Sequence, residues 1–274
     1  MDFDIVIAGE AESTTFYKIL LYGSSGAGKT WAASTSPKPL YILCERQGMA
    51  TVRRANPKAG VVHVTTAQQL RDILKAVIGG QLDDYDTLVF DGLTEIQRLF
   101  RDEIVTGRQV GADFTFTDWR ILLERMRRFT RTLRDLEKHV VCTCLATEEV
   151  EQATGRRWIT LKLEGSISEE MPGYFSVVGY VFKEQILDGD KAGQIAHQVM
   201  LDGPSNVLCK PVFPLRGIMG PDLSRWFQLM LHGTAEEADA ESTPSPTEKK
   251  KRGRRSRKSN TNITDTSETT EEAA

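Results

Sequence analysis

A glycine-rich turn between a short apolar run and the start of a helix constrains this chain more than any other feature. The apolar run covers residues 17–22, and the turn ends in a Lys-Thr pair. The spacing matches G-x-x-x-x-G-K-[ST], in which successive backbone N–H groups and a helix N-terminus surround a phosphate. The pattern predicts a nucleotide-binding loop formed by Gly23, Ser24, Ser25, Gly26, Ala27, Gly28, Lys29 and Thr30.

The chemistry of a bound phosphate accounts for the residue types in this loop. Gly23, Gly26 and Gly28 permit backbone conformations that a Cβ would forbid, and they let the chain approach an oxyanion closely. Lys29 supplies a positive charge for the β- and γ-phosphates, and the Thr30 hydroxyl is placed to bind Mg²⁺. The loop therefore predicts a nucleoside triphosphate and Mg²⁺ as cofactors.

A second apolar run, residues 86–92, closes on Asp91. An aspartate at the carboxyl end of a parallel strand is expected to hold Mg²⁺ through water when it follows a phosphate loop by one strand–helix–strand span. The alternative for a strand-ending aspartate is an ordinary helix N-cap. We predict the metal role for Asp91, shared with Thr30.

Composition describes an ordinary water-soluble protein. Of the 274 residues, 40% are hydrophobic and 27% charged, and the net charge of −3 gives no global attraction to nucleic acid. The four cysteines are scattered, so we expect free thiols in a reducing compartment rather than disulfides. No apolar stretch reaches the roughly 18 residues that a membrane-spanning helix needs, and we see no signal peptide. These features favour a cytoplasmic location.

Hydrophobic periodicity predicts an α/β fold over residues 1–233, with a mainly parallel sheet and an antiparallel extension. The early part alternates helices and strands, and the later part is mostly strands. A long amphipathic helix with Thr117 as its N-cap is expected to run to about His139. The predicted strands cover residues 17–22, 40–44, 61–64, 86–91, 140–146, 158–163, 177–183 and 194–201, and the other predicted helices 29–35, 66–78, 93–105 and 222–231.

The composition changes at the end of this region. Residues 234–274 have almost no large apolar side chains, so they cannot bury enough surface to fold and we expect a disordered tail. The tail contains a dense basic block, residues 249–258. The block is interpreted either as a solubilising segment, as an electrostatic arm for nucleic acid or, in a nucleated cell, as an import signal.

Together these motifs resemble the RecA-like P-loop ATPase core, most closely the small phage-type proteins described as ATP-binding or single-strand DNA annealing proteins. The resemblance covers roughly residues 15–200. Residues 40–48 are similar to the strand that ends in the family's catalytic glutamate, and residues 89–94 to its metal-binding strand. The resemblance implies ATP and Mg²⁺ as cofactors, with Glu45 orienting the attacking water. The sequence agrees, because Glu45 ends a strand next to the phosphate loop in topology; the alternative is a surface glutamate paired with an arginine.

The same resemblance implies partners and further site residues. Two segments stand where the family binds DNA: a loop at residues 106–116, and a loop or hairpin tip at residues 150–158. This implies single-stranded DNA as a partner, together with further copies of the chain and a single-strand-binding protein as an additional candidate. Thr147 stands where the family has a polar amide sensor, so coupling of hydrolysis to DNA is not implied by the sequence. The DNA-binding candidates are Arg108, Phe114 and Phe116 in one loop and Arg156, Arg157 and Trp158 in the other.

Three functions compete on these observations. The first is a Mg²⁺-dependent ATPase that acts on single-stranded DNA, and the second is a nucleotide-gated scaffold for DNA or protein with little or no hydrolysis. A small-molecule kinase ranks third, because residues 158–201 offer no arginine-rich lid. A basic residue from a neighbouring subunit often completes such sites, and the candidates are Lys183, Lys191 and Lys210.

Overall fold

A central β-sheet organises the part of the chain that the computed structural model describes, which is residues 15–109, 113–187 and 192–234 with 236, 237 and 240. The predicted tail beyond 240 and Lys191 lie outside the described residues. The nine strands found in those ranges are β1 Lys18–Gly23, β2 Pro39–Leu43, β3 Gly60–His63, β4 Thr87–Asp91, β5 His139–Val150, β6 Arg157–Leu161, β7 Val177–Gln185, β8 Ile195–Met200 and β9 Ile218–Met219.

The strand order is β3-β2-β4-β5-β1-β7-β8-β9, with β6 paired to β5 alone. The six strands from β3 to β7 run parallel, whereas β8 is antiparallel to β7 and β6 is antiparallel to β5. The predicted α/β class, with a mainly parallel sheet and an antiparallel extension, is confirmed. The phosphate-loop strand β1 lies between β5 and β7, both of which come much later in the chain.

Helices cover both faces of the sheet, as an alternating strand–helix pattern requires. Successive residues of β1 point to opposite faces, so Leu20 packs in the core on one side of the sheet and Leu21 in the core on the other side. No helix within the described ranges is both long and apolar enough to cross a bilayer. The helices are α1 Lys29–Ser34, α2 Gly48–Ala55, α3 Ala67–Ile78, α4 Leu93–Val105, α5 Phe116–Asp135, α6 Ile167–Glu170 and α7 Leu223–His232.

The predicted start of the long helix at Thr117 is wrong, and Thr115 is the N-cap of α5. The Thr115 hydroxyl accepts from the Asp118 backbone N–H, and the Asp118 carboxylate accepts from the Thr115 N–H at 2.8 Å. This reciprocal capping box satisfies two N–H groups that a start at Thr117 would leave unpaired. The helix also ends earlier than predicted, at Asp135, because His139 already begins β5.

The predicted strand 140–146 is too short. β5 continues to Val150 and forms a hairpin with β6, in which Glu149 pairs with Trp158 and Val150 with Arg157. The segment predicted as a loop or hairpin tip at 150–158 is the closed end of this hairpin, and Arg157 and Trp158 of that segment lie in β6. Pairing with β6 satisfies the backbone groups of the extended part of β5.

Candidate functional site

The phosphate loop connects the buried strand β1 to the first turn of α1. Gly26 has φ +73° and Gly28 has φ +106°, in the left-handed region that residues with a Cβ rarely adopt. The Ala27 N–H donates to the Ser24 carbonyl at 3.2 Å, which closes the turn. Glycine at these positions is therefore a requirement of the backbone conformation and not only of ligand access.

The side chain of Lys29 folds back over this loop. Its Nζ donates to the Gly23 carbonyl at 2.9 Å and to the Ser24 carbonyl at 2.8 Å. Burial lowers the pKa of Lys29, and the negative charge of Asp91 opposes that change. The amine is thus held in the loop by two neutral acceptors, for which a phosphate would be a stronger, charged replacement.

Asp91, at the end of β4, meets two hydroxyl groups. Thr30 Oγ1 donates to its carboxylate at 2.9 Å, and Thr143 Oγ1 donates at 2.5 Å. Burial raises the pKa of Asp91, while the hydroxyls of Thr143 and Thr30 and the charge of Lys29 act in the opposite direction. Strand β4, which ends at Asp91, is separated from β1 only by β5. The Asp91 carboxylate therefore reaches the first turn of α1, where Thr30 lies.

The oxygens of Thr30 and Asp91 suit Mg²⁺, which binds hard oxygen ligands and keeps several waters. A nearby cation stabilises the charged form of a buried carboxylate whose pKa is raised. Within the described ranges no group of three or more His, Cys, Asp and Glu side chains is placed to hold a metal ion. The two residues present fit a Mg²⁺ ion that takes its remaining ligands from phosphate and water.

These residues face one cleft of about 420 Å³ at the carboxyl ends of the parallel strands, where ligands bind in sheets of this kind. Trp31 contributes a ring that is 45% exposed. The cleft is lined by Ser25, Gly26, Gly28, Lys29, Thr30 and Trp31 from the phosphate loop and α1, by Glu45, Gln47, Gly48 and Thr51 after β2, by Asp91, Gly92, Thr94 and Glu95 after β4, and by Thr143, Cys144 and Leu145 of β5.

Two glutamates stand on the wall of this cleft. Glu45 follows β2, is exposed, and forms no side-chain hydrogen bond or ion pair with any described residue. Glu95, in the first turn of α4, is paired with Arg98. The structure therefore brings the predicted Glu45 to the same cleft as Lys29 and leaves its carboxylate available, whereas Glu95 is already engaged.

The predicted sensor, Thr147, lies elsewhere. It is paired with Thr160 in the part of β5 that extends beyond the parallel sheet, and it does not line the cleft. Thr143, four residues earlier on β5, both lines the cleft and donates to Asp91. Sequence reasoning missed Thr143, although a hydroxyl within the otherwise apolar run 140–146 was the available signal.

Two of the three DNA-binding candidates in the first set, Arg108 and Phe114, form contacts with other side chains of the fold. Arg108 donates two hydrogen bonds to Asp118, at 2.7 and 2.6 Å, and this pair holds the pKa of Asp118 well below its usual range. The Phe114 ring packs edge-on against Trp119 with centroids 4.8 Å apart. Phe116, in contrast, is 86% exposed at the start of α5.

The second set lies on the β5–β6 hairpin. The Arg156 guanidinium stacks over the Trp158 ring, 4.4 Å from its centroid, and Trp158 remains 37% exposed. Arg157 forms an ion pair with Glu148 at 3.0 Å. The hairpin thus presents an aromatic ring on β6 with an adjacent cation, and β6 pairs with β5, the strand that carries Thr143.

The three lysines considered for a neighbouring subunit's site have different positions. Lys210 Nζ donates to the Phe175 carbonyl at 2.6 Å and to the Pro172 carbonyl at 3.3 Å, so it stabilises its own fold. Lys183 Nζ lies above Gly26 of its own phosphate loop, 3.8 Å from where a Cβ would stand. Lys191 lies outside the described residues.

The four cysteines are free thiols, as predicted. Cys142 and Cys144 are buried in β5, and burial raises the pKa of Cys144 to about 11. Such thiols are protonated at neutral pH and contribute packing rather than nucleophilic chemistry.

Comparison with known proteins adds one match. A family model described as an AAA domain matches residues 15–206, which is more than half of the chain and includes the phosphate loop, Asp91 and the β5–β6 hairpin. No curated protein matches the chain.

Proposed function

Because the chain belongs to the AAA-domain family of P-loop ATPases, we propose that it hydrolyses ATP with Mg²⁺ and uses the cycle to act on single-stranded DNA, in annealing or recombination of the phage type. The observation that carries the proposal is the meeting of Lys29, Thr30 and Asp91 in one cleft with an unpaired Glu45 on its wall. A phosphate-binding amine, a pair of Mg²⁺ ligands and a carboxylate for water are the parts that phosphoryl transfer to water needs.

Each residue has a separate role in this proposal. The Lys29 amine leaves the carbonyls of Gly23 and Ser24 and neutralises charge on the β- and γ-phosphates. Thr30 and Asp91 would hold Mg²⁺, and the bound ion would further neutralise the charge of the transferred phosphoryl group. Glu45 accepts a hydrogen bond from the attacking water and orients it.

The DNA part of the proposal rests on the β5–β6 hairpin. Trp158 is exposed for stacking on a base, and Arg156 beside it supplies a positive charge for a phosphate. Strand β5 connects this hairpin to Thr143 and so to Asp91. Phe116 is a second exposed ring, whereas Arg108 would first have to break its pair with Asp118.

ATPase rates with and without single-stranded DNA test the proposal. We expect Lys29→Ala to abolish turnover and ATP binding, and Glu45→Gln to abolish turnover while ATP still binds. Glu95→Gln is the matched control, because it removes a carboxylate from the same cleft that is already paired with Arg98. Normal turnover by Glu45→Gln would show that the assignment of Glu45 is wrong.

The alternative function is a scaffold that changes shape on ATP binding and hydrolyses slowly or not at all. The observation that favours it is Glu45, because no described side chain orients its carboxylate. A scaffold would bind ATP with Mg²⁺, show the same low hydrolysis rate with and without DNA, and lose little rate in Glu45→Gln.

The basic block at 249–258 is proposed as an electrostatic arm for the DNA phosphates. Comparison of the full-length protein with a 1–233 truncation tests this role. Loss of the arm is expected to weaken DNA binding and to reduce its dependence on salt, because fewer counterions are released on binding. Equal salt dependence of the two proteins would favour a solubilising tail.

A further inference from the structure

A histidine from the antiparallel extension contacts the phosphate loop. His197 of β8 places its Nδ1 2.7 Å from the Ala27 carbonyl oxygen. In the β7–β8 register His197 is opposite Lys183, whose amine lies above Gly26. Two neighbouring positions of the hairpin therefore face two neighbouring peptides of the loop.

The chemistry of this contact defines a donor and an acceptor. A carbonyl oxygen only accepts, so the His197 Nδ1 must carry the hydrogen. In a trans peptide the C=O and the following N–H point in opposite directions. With its Ala27 oxygen held toward His197, the Ala27–Gly28 peptide directs the Gly28 N–H away from β8.

This peptide needs a restraint because of the residue that follows it. Gly28 has no Cβ to bias its φ, so rotation about the Ala27–Gly28 peptide meets little steric resistance. A rotated peptide would present the Ala27 carbonyl, instead of an N–H, to an anion in the loop. A Cβ at Gly28 would stand 2.7 Å from His197 Nδ1, so glycine also allows the imidazole to come this close.

We propose that His197 is a positioning residue for the phosphate loop: its Nδ1–H holds the Ala27 carbonyl outward and so keeps the Gly28 N–H oriented toward the phosphates. This inference rests on the proposed function, in which the loop binds a triphosphate. The orientation of the Ala27–Gly28 peptide, and with it part of the affinity for phosphate, is thus assigned to a residue of the β7–β8 hairpin that lies outside the phosphate loop.

Paired substitutions test the inference through the phosphates alone. His197→Leu removes the donor and keeps a side chain of moderate size, and His197→Asn places an amide N–H at the position of Nδ1–H. Loss of one such hydrogen bond is expected to weaken binding of Mg²⁺–ATP and of inorganic tripolyphosphate by the same factor, roughly three- to tenfold. His197→Asn is expected to bind within about twofold of the wild type. His63→Leu, on β3 and outside the cleft, is the control.

Unchanged tripolyphosphate affinity in His197→Leu, or an equal loss in His197→Asn, would overturn the inference. A second measurement needs no variant and no nucleotide. Long-range ¹H–¹⁵N spectra of the full-length protein at pH 8 report which imidazole nitrogen is protonated, and we expect Nδ1–H for His197. The Nε2–H tautomer would refute the inference even if the loop binds triphosphates, so that the proposed function would stand. Wild-type protein that binds neither ligand would refute the proposed function and the inference with it.

Discussion

Asp91→Asn is expected to stabilise the nucleotide-free protein while removing its response to Mg²⁺. The variant keeps both neighbours, since the amide oxygen accepts from Thr143 and the amide N–H₂ donates to Thr30. The variant loses a buried negative charge. Burial has the largest effect on the pKa of Asp91, because that pKa is raised although two hydroxyl donors and the charge of Lys29 act to lower it. Each unit by which a pKa is raised corresponds to about 1.4 kcal/mol that the charged form costs the folded state, and the neutral amide avoids this cost. For a protein of this size, a gain of about 1 kcal/mol raises the melting temperature by about 2–4 °C.

The pH dependence of this difference has a defined sign. A raised pKa means that the folded state binds the Asp91 proton more tightly than the unfolded state does. Wild-type stability therefore falls as pH rises from the usual aspartate range through the raised pKa, and the penalty is complete above it. The advantage of Asp91→Asn should be full at pH 8 and should shrink as the pH is lowered.

Two assays check the prediction. Differential scanning calorimetry at pH 8 and pH 5 gives the stability difference, and titration calorimetry of ATP with Mg²⁺ and with EDTA gives the metal dependence of binding. We expect Mg²⁺ to strengthen ATP binding to the wild type and to leave binding to Asp91→Asn almost unchanged. Asp86→Asn, which removes an exposed carboxylate beside Lys38, is the control and should shift neither value. A variant that melts below the wild type at pH 8, or that retains the full Mg²⁺ effect, would refute the reasoning.

Three further perturbations test the loop, the cleft and the fold. Gly28→Ala is expected to lower the free energy of unfolding by about 1–2 kcal/mol in urea titrations, because φ is +106° and the new Cβ meets His197; equal stability would mean that the turn relaxes without cost. Trp31→Phe is expected to remove most of the fluorescence change that Mg²⁺–ATP causes, and a variant that keeps the whole change would contradict the position of Trp31 on the cleft wall. Thr115→Ala is expected to lower the free energy of unfolding by about 1 kcal/mol, whereas Thr117→Ala should change it little; the reverse order would place the helix cap at Thr117.

Short-range sequence patterns predict most of the strands and helices that form the core of the fold. The turn at Gly23–Thr30 and the helix start at Thr66 are set by residues within a few positions of one another, and the structure has both elements. The cap of α5 was also encoded locally, because Asp118 follows Thr115 by three residues whereas Arg120 follows Thr117. The residue at the third helical position therefore indicates Thr115 as the cap rather than Thr117.

The rest of the site depends on pairings between distant parts of the chain. Thr143 contacts Asp91 because β5 inserts beside β4 with Asp91 and Thr143 in register, and no local pattern specifies that register. His197 reaches Ala27 only through the order β1-β7-β8, in which strands from the two ends of the domain become neighbours. Hydrophobic periodicity predicts that such strands exist but not which of them adjoin.

The position of β1 has a consequence for the order in which the protein is made. Its residues are synthesised early, yet its partners on both sides, β5 and β7, begin only at His139 and Val177. A nascent or truncated chain that ends before β5 therefore carries β1 with two open edges, a state that invites association with other chains. Bound nucleotide cannot guide the first stages of folding in such a chain. The strand that leads into the phosphate loop, β1, gains its neighbours β5 and β7 only at a late stage.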